Sequence, residues 1–394
     1  MVSESSQASG GVRRRLRLGM VGGGQGAFIG AVHRLAARMD DRWELVAGAF
    51  SSTPEKSKAS APELHVAPER AYGDYAEMAR KERRRKDGID AVAIVTPNHV
   101  HYEAAAAFLK AGLHVICDKP LTTTLKDAKK LADLVATSGK VFVLTHNYTG
   151  YPMVRQARAM VADGLLGTIR VVQVEYPQDW LTTPLEKSGQ KQAAWRTDPR
   201  QSGPAGATGD IGTHAYNLAC FITGLVCREL AADLSTFVKG RALDDNAHVL
   251  LRFEGGAKGM LWASQVAPGN ENALKIRVYG EKGGLAWSQE NPNYLHHTPY
   301  GEPPRLITRG GPGAMPVAAR VTRVPPGHPE GYLEGFATIY SDAAELIWAA
   351  IEGRKPDPGA LLVPSVHDGV LGVKFIEAVV ESSKKNGAWV KAKV

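Results

Sequence analysis

Cysteine is scarce in this chain: three in 394 residues, Cys117, Cys220 and Cys227. Their spacing offers neither a paired framework nor a metal-ligand pattern. This argues against a disulfide-stapled secreted fold and predicts a reducing, cytoplasmic setting. Aromatics make up 7% of the residues, and none interleaves the dense basic run Arg80–Lys86. The net charge of +8 therefore lacks the stacking platform of a nucleic-acid surface, and the run reads as one solvated helical face. Such a balance serves at most to draw in an anionic cofactor or substrate. No stretch of about 18 apolar residues occurs, so no membrane span is predicted. Residues 1–15 lack an apolar segment and read as a disordered tail rather than a secretory leader.

What is present is ample core material, 44% apolar against 22% charged, in a length suited to two or three domains. From Arg15 to Tyr148 strand-like and helix-like segments alternate: "RLRLGMVG", "GAVHRLAARMD", "WELVAGAF", "DYAEMARKERRR", "IDAVAIVTP", "HYEAAAAFLKAG", "LHVICDKP", "TLKDAKKLADLVATSG" and "KVFVLTHNY". This alternation predicts a parallel sheet with crossover helices. Thr124 and Asp127 are placed as a helix-capping pair. After about residue 150 the period changes. "TIRVVQVEY", "AHVLLRFEGGAKGMLWASQ" and "LKIRVYGEKGGLAWSQ" predict antiparallel strands, the last two folding back over Glu254–Gly256 and Glu281–Gly284. Residues 291–330, rich in Pro and Gly, read as a long surface excursion, and two helices close the chain. The expected fold is α/β, with a parallel-sheet domain over 16–150. A second domain built on an antiparallel sheet follows over 151–394, its final helix free to pack back on the first domain.

The turn "GMVGGGQGAFIGAVH" ends the first strand and opens the first helix. Gly22, Gly24 and Ala27 match the dinucleotide spacing: Gly22 permits the tight turn, and Gly24 lets backbone N–H groups approach a pyrophosphate at a helix N-terminus. Gln25, Gly26, Phe28 and Ile29 complete the expected contact surface. At the end of the second strand no acid stands at Phe50, Ser51 or Ser52. The hydroxyls of Ser51 and Ser52 with nearby Lys56 leave NAD and NADP both open as the cofactor.

Chain leaving the carboxyl ends of central strands lies over such a cofactor. That places "VTPNHVH", with Thr96, Pro97, Asn98 and His101, among the expected cofactor contacts. Lys119 follows the fourth strand at the same edge, flanked by Asp118 and Pro120. Its ammonium suits a substrate hydroxyl and a developing alkoxide. Asp210 and His214, in "GDIGTH", are four residues apart, so a helical turn brings carboxylate and imidazole to one face. A metal is the rival use of that pair, but no third ligand has a supporting spacing.

With "GGGQGAFIG", "TPNHVH", "DKP" and "GDIGTH" in this order, the chain resembles the Gfo/Idh/MocA family over roughly residues 16–390. The family's Glu-Lys-Pro becomes Asp118-Lys119-Pro120, and its Asp-x-x-x-His matches Asp210 and His214. The resemblance implies a dinucleotide-binding Rossmann domain over 16–150, followed by an α/β domain with a large open, mostly antiparallel sheet over 151–394. It also implies transfer of a hydride between a ring hydroxyl of a cyclic polyol or sugar and NAD or NADP. Lys119 and His214 would flank the carbinol, either one serving as base, and Asp210 would position the sugar. Asp118 and Lys119 would also touch the cofactor. Further substrate contacts are expected from His146, Tyr148, Tyr151, Tyr176, Trp180, Trp195 and Arg196. The family also implies a homodimer or homotetramer formed through the outer face of the second sheet. An alternative net reaction is glycoside cleavage by transient oxidation, elimination and re-reduction.

Overall fold

The computed structural model describes residues 13–394. Of the expected N-terminal tail, residues 1–12 lie outside the described residues. Arg13, Arg14 and Arg15 are not free chain: they pair with Glu352, Asp90 and Asp41 at 2.7, 2.7 and 2.5 Å.

Five parallel strands form the first sheet: β1 (Leu16–Gly22), β2 (Trp43–Ala49), β3 (Ala91–Val95), β4 (His114–Cys117) and β5 (Phe142–Leu144), in the order β2–β1–β3–β4–β5. Every residue of β3 and β4 is buried, as their near-continuous apolar runs require when both faces are covered. On one face, Val32 and Ala36 of the helix Phe28–Met39 pack with Phe336, Ile339, Tyr340 and Ile347 of the helix Tyr332–Glu352. On the other, Met78, Phe108 and Leu131 meet Val366, Val370 and Val373 of the last helix, Val366–Lys384. Both closing helices thus complete the core of the first sheet, so its hydrophobic layer is drawn from the two ends of the chain. Thr124 Oγ1 accepts from the Asp127 N–H at 3.2 Å and starts the helix Leu125–Ser138.

The second sheet has nine strands, in the order β13–β12–β11–β10–β6–β9–β8–β7–β14. They are β6 (Ile169–Pro177), β7 (Cys227–Ser235), β8 (Asn246–Phe253), β9 (Lys258–Ser264), β10 (Lys275–Gly280), β11 (Gly283–Ser288), β12 (Tyr294–Pro299), β13 (Arg305–Thr308) and β14 (Val390–Lys391). Only β6 and β9 pair in parallel; the other pairs are antiparallel. The inner face carries Val172, Val174, Leu251, Leu261, Ile276 and Trp287 in one core with the helices Pro152–Ala162 and Thr213–Thr223. The segment 291–330, expected as a surface excursion, instead adds β12 and β13 to the sheet edge. Leu295 is fully buried and supplies the inward residue that the Pro and Gly content had masked. The stretch Pro358–Lys384 is long and apolar enough to cross a membrane by composition alone. Here Phe375, Ile376 and Val379 are buried in the second core while Val366–Val373 serve the first, so packing within the fold accounts for its apolar character.

Candidate active site

The carboxyl ends of β1, β3, β4 and β5 open on one cleft of 1490 Å³, whose far wall comes from the second domain. The glycine turn forms one end. Gly22 and Gly23 have φ of +80° and +72°, a region that a side chain disfavours. A Cβ on Gly24 would lie 2.7 Å from both Phe50 O and Ser60 Oγ, so only glycine fits between β2's end and the loop. Gly30 plays the partner role in the helix, where a Cβ would fall 2.3 Å from Gly23 Cα. Ala27 caps the helix Phe28–Met39 without a side-chain acceptor, leaving first-turn N–H groups for an anion. Ser51, Ser52 and Lys56 line the neighbouring wall, joined by Asp74 and Tyr75.

A dinucleotide fits this end on a further observation. Thr96 Oγ1 and Asn147 Nδ2 are buried cleft-lining atoms without a hydrogen-bond partner, a costly condition unless a bound group supplies one. Gly22, Gly24, Gln25, Ala27, Phe28, Ile29, Thr96, Pro97, Asn98, Asp118 and Lys119 all line the cleft. Asn98 Nδ2 is already engaged with Ser202 O at 2.8 Å, so it ties the first domain to the second. Two expected cofactor residues do not line it. Gly26 sits at the exposed tip of the turn, with open space around its Cα. His101 is fully buried, its ring nitrogens 2.8 and 3.0 Å from Pro120 O and Thr96 O, so it supports the strand ends from behind.

At the other end Lys119, after β4, meets Asp210 from the second domain. Its Nζ donates to Asp210 O and, at 3.2 Å, to Asp210 Oδ1. Arg196 Nε and Gln265 Nε2 donate to Asp210 Oδ2 at 3.1 and 2.8 Å. Burial alone would raise the Asp210 carboxyl. The Arg196 and Lys119 charges and the Lys119 and Gln265 hydrogen bonds prevail and hold it well below the usual carboxylate range. Residues Thr208–Gly212 form a wide π-helical turn that runs into the helix Thr213–Thr223. Asp210 and His214 both reach the cleft from this widened turn.

His214 is 8% exposed and its Nδ1 has no partner. Burial first, then the neighbouring Lys119 and His146, push its pKa well below the usual value, so the ring is held neutral. His146 and Tyr148 stand edge-on to it, with centroids 5.4 and 4.9 Å away. His146 and Tyr151, expected as substrate contacts, are 1% exposed and do not line the cleft. They form a second layer instead: Tyr151 stacks on Tyr148 at 5.9 Å, and His146 backs His214. Tyr148, Tyr176, Trp180, Trp195 and Arg196 do line it. Tyr148 and Tyr176 share a 2.5 Å hydroxyl contact, and Tyr176 Oη donates to Asn272 Oδ1 at 2.7 Å. Gln178 Nε2 donates to the same oxygen at 2.7 Å, and Asn272 Nδ2 to Gln289 Oε1 at 3.1 Å. The amides of Gln178, Gln192, Asn272 and Gln289, all lining the cleft, carry no spacing signal, and none was visible in the sequence. Arg196 stacks over Trp195 at 4.3 Å and donates to Gln192 Oε1 at 2.7 Å.

The model of the oxidoreductase family with an NAD-binding Rossmann fold matches residues 16–148, and that of the GFO/IDH/MocA C-terminal domain matches 154–286. The chain belongs to the Gfo/Idh/MocA family. Among its members of known structure, an oxidoreductase from Sinorhizobium meliloti is 61% identical, with a TM-score of 0.87 over 96% of this chain and 100% of that one. An inositol dehydrogenase homolog from Azotobacter vinelandii, complexed with NADH and myo-inositol, is 38% identical, with a TM-score of 0.88 over 96% and 98% of the two chains. Levoglucosan dehydrogenase from Pseudarthrobacter phenanthrenivorans is 28% identical over 96% of this chain and 98% of its own length. The Gfo/Idh/MocA assignment makes this chain an oxidoreductase with an NAD-binding Rossmann fold and with inositol and sugar dehydrogenases among its homologues.

Proposed function

We propose that the chain oxidises one ring hydroxyl of an uncharged cyclic polyol or sugar, passing the hydride to the nicotinamide of NAD or NADP. The observation that carries this reading is the convergence in one cleft of Lys119 from the first domain with Asp210 and His214 from the second. The dinucleotide supplies the hydride acceptor when bound. Lys119 hydrogen-bonds the reacting hydroxyl and stabilises the alkoxide as it develops. His214, an imidazole lining the cleft close to Lys119, takes the proton. Asp210 fixes Lys119 and Arg196, and balances one of their two charges. The wall of Gln178, Gln192, Asn272 and Gln289 offers paired donors and acceptors without charge, which suits a ring of hydroxyls. The relatives with myo-inositol and levoglucosan in their names support the same substrate class.

The test is an absorbance screen for reduced nicotinamide over inositols, anhydrosugars, aldoses and glycosides, with NAD and NADP in parallel. Turnover is expected with a neutral ring polyol and none with open-chain alcohols; a silent panel would sink the assignment. Release of a chromogenic aglycone without net reduction would point to the redox-neutral cleavage instead.

The outer face of the second sheet carries Leu250 and Met260, paired across β8 and β9 and 50% and 52% exposed. Association of copies through this face into a dimer or tetramer follows on the same reading. A reducing cytoplasm is consistent with the three free cysteines.

A further inference from the structure

Asp118 lines the cleft beside Lys119, yet the proton and hydride steps make no use of its carboxylate. Its ion partner is not Lys119, which turns to Asp210. Thr145 Oγ1 donates to Asp118 Oδ1 at 2.5 Å, and His33 Nε2 stands 3.5 Å from the same oxygen. His33 belongs to the helix behind the glycine turn and is fully buried. Its Nδ1 lies 2.8 Å from Tyr340 Oη, and Phe336 and Tyr340 confine the ring at centroid separations of 5.0 and 5.7 Å. The tautomer that suits both neighbours accepts from the Tyr340 hydroxyl at Nδ1 and turns Nε2–H toward the carboxylate, which at 3.5 Å is its nearest acidic group and falls just short of a hydrogen bond. Burial would raise the Asp118 carboxyl; the facing His33, the Thr145 hydroxyl and the Lys119 charge hold it down to about 2. A fixed, ionised carboxylate therefore stands at the reacting end of a part-buried cleft, where charge is weakly screened.

The oxidised nicotinamide ring is a cation and the reduced ring is neutral. We propose that His33 is a positioning residue: with Tyr340 behind it, it holds the Asp118 carboxylate so that the cleft favours the oxidised dinucleotide over the reduced one. This rests on the reading that the nicotinamide lies at the Lys119 end. The arrangement also suits an aspartate there, since one more methylene would close the 3.5 Å separation from His33.

Calorimetric titration with NAD+ and with NADH, measured separately, tests it on the full chain. His33→Leu is expected to raise the Kd for NAD+ about tenfold and to change that for NADH less than about twofold. His33→Gln, whose amide nitrogen reaches the Nε2 position, is expected to restore the ratio to within about threefold, and Tyr340→Phe to shift it in the same direction as His33→Leu. In an Asp118→Asn background, His33→Leu should add nothing, because the charge it positions is gone. Equal weakening of both redox forms, or an undiminished effect in that background, overturns the proposal. Should His33→Leu fail to fold, an unchanged ratio in Tyr340→Phe overturns it equally. Wild-type chain that binds neither form ends the cofactor reading itself. Normal binding with an insensitive ratio leaves that reading in place and sinks only the role of His33.

Discussion

Lys119 and His214 reach the same cleft by different routes, and single substitutions separate chemistry from binding. Lys119→Ala leaves Asp210 paired to Arg196 and Gln265, so the cleft wall is kept while the alkoxide loses its cation. His214→Ala removes the proton acceptor without touching the glycine turn. Each variant is expected to lose about 10²–10⁴-fold in kcat while dinucleotide affinity stays within about threefold, as read by steady-state kinetics and fluorescence titration. Near-normal turnover in either variant removes that residue from the mechanism. At this scale the sequence disclosed the residues whose spacing encodes chemistry: Lys119 before its proline, and Asp210 with His214. It did not disclose His33, a lone histidine inside a helix whose partners lie 85 and 307 positions away. Nor could it tell that His146 and Tyr151 stand one layer behind His214 and Tyr148, since cleft-lining and supporting aromatics look alike along a chain.

The elements that hold the site depend on two glycines closing on each other. Gly30→Ala would place a methyl against Gly23 Cα at 2.3 Å, a backbone contact that no rotamer relieves. The helix Phe28–Met39 must then move off the turn, at a cost of about 1–3 kcal/mol in stability. Dinucleotide affinity is expected to fall at least about tenfold, as measured by fluorescence titration, because the first-turn N–H groups no longer face the cleft. The strand–helix alternation and both hairpins were legible because their periods of 2 and 3.6 are carried by apolar residues. β7, β12 and β13 were not: their outward positions and flanking Pro and Gly resemble a loop until a neighbouring strand fixes the register. The π-helical turn at Thr208–Gly212 was equally invisible, since a widened turn and an α-turn share the same four-residue spacing.

Over the whole molecule, buried histidines set the response to acid. Burial and the Lys119 charge hold His146 down to about 3, burial and the Lys140 charge hold His114 down to about 4, and His214 lies far below its usual value. Each takes up its proton near pH 6.5 when unfolded and only at lower pH when folded, so the unfolded state binds more protons in between. Stability contributed this way is complete above about pH 6.5 and is lost toward pH 4, at up to about 1.4 kcal/mol per pH unit for each ring. The depressed carboxyl of Asp118 adds a loss below about pH 4, with the same sign. Urea midpoints are therefore expected to fall steadily from pH 7 to pH 4; a flat profile would contradict the burial of these rings. Association belongs to this scale as well. If copies associate through the outer sheet face as proposed, Met260→Glu, which places a charge beside Leu250, is expected to give a smaller particle in light scattering than the unaltered chain; equal masses would remove this face from the association.

The dinucleotide half opens the chain, yet its hydrophobic layer is finished by Phe336, Ile339, Tyr340 and Val370 near the other terminus. The glycine turn therefore has no completed hydrophobic floor until these distant helices have docked. A fragment ending before Tyr332 would leave part of one face of the first sheet bare, so the glycine turn and the helix Tyr332–Glu352 stand or fall as one cooperative unit.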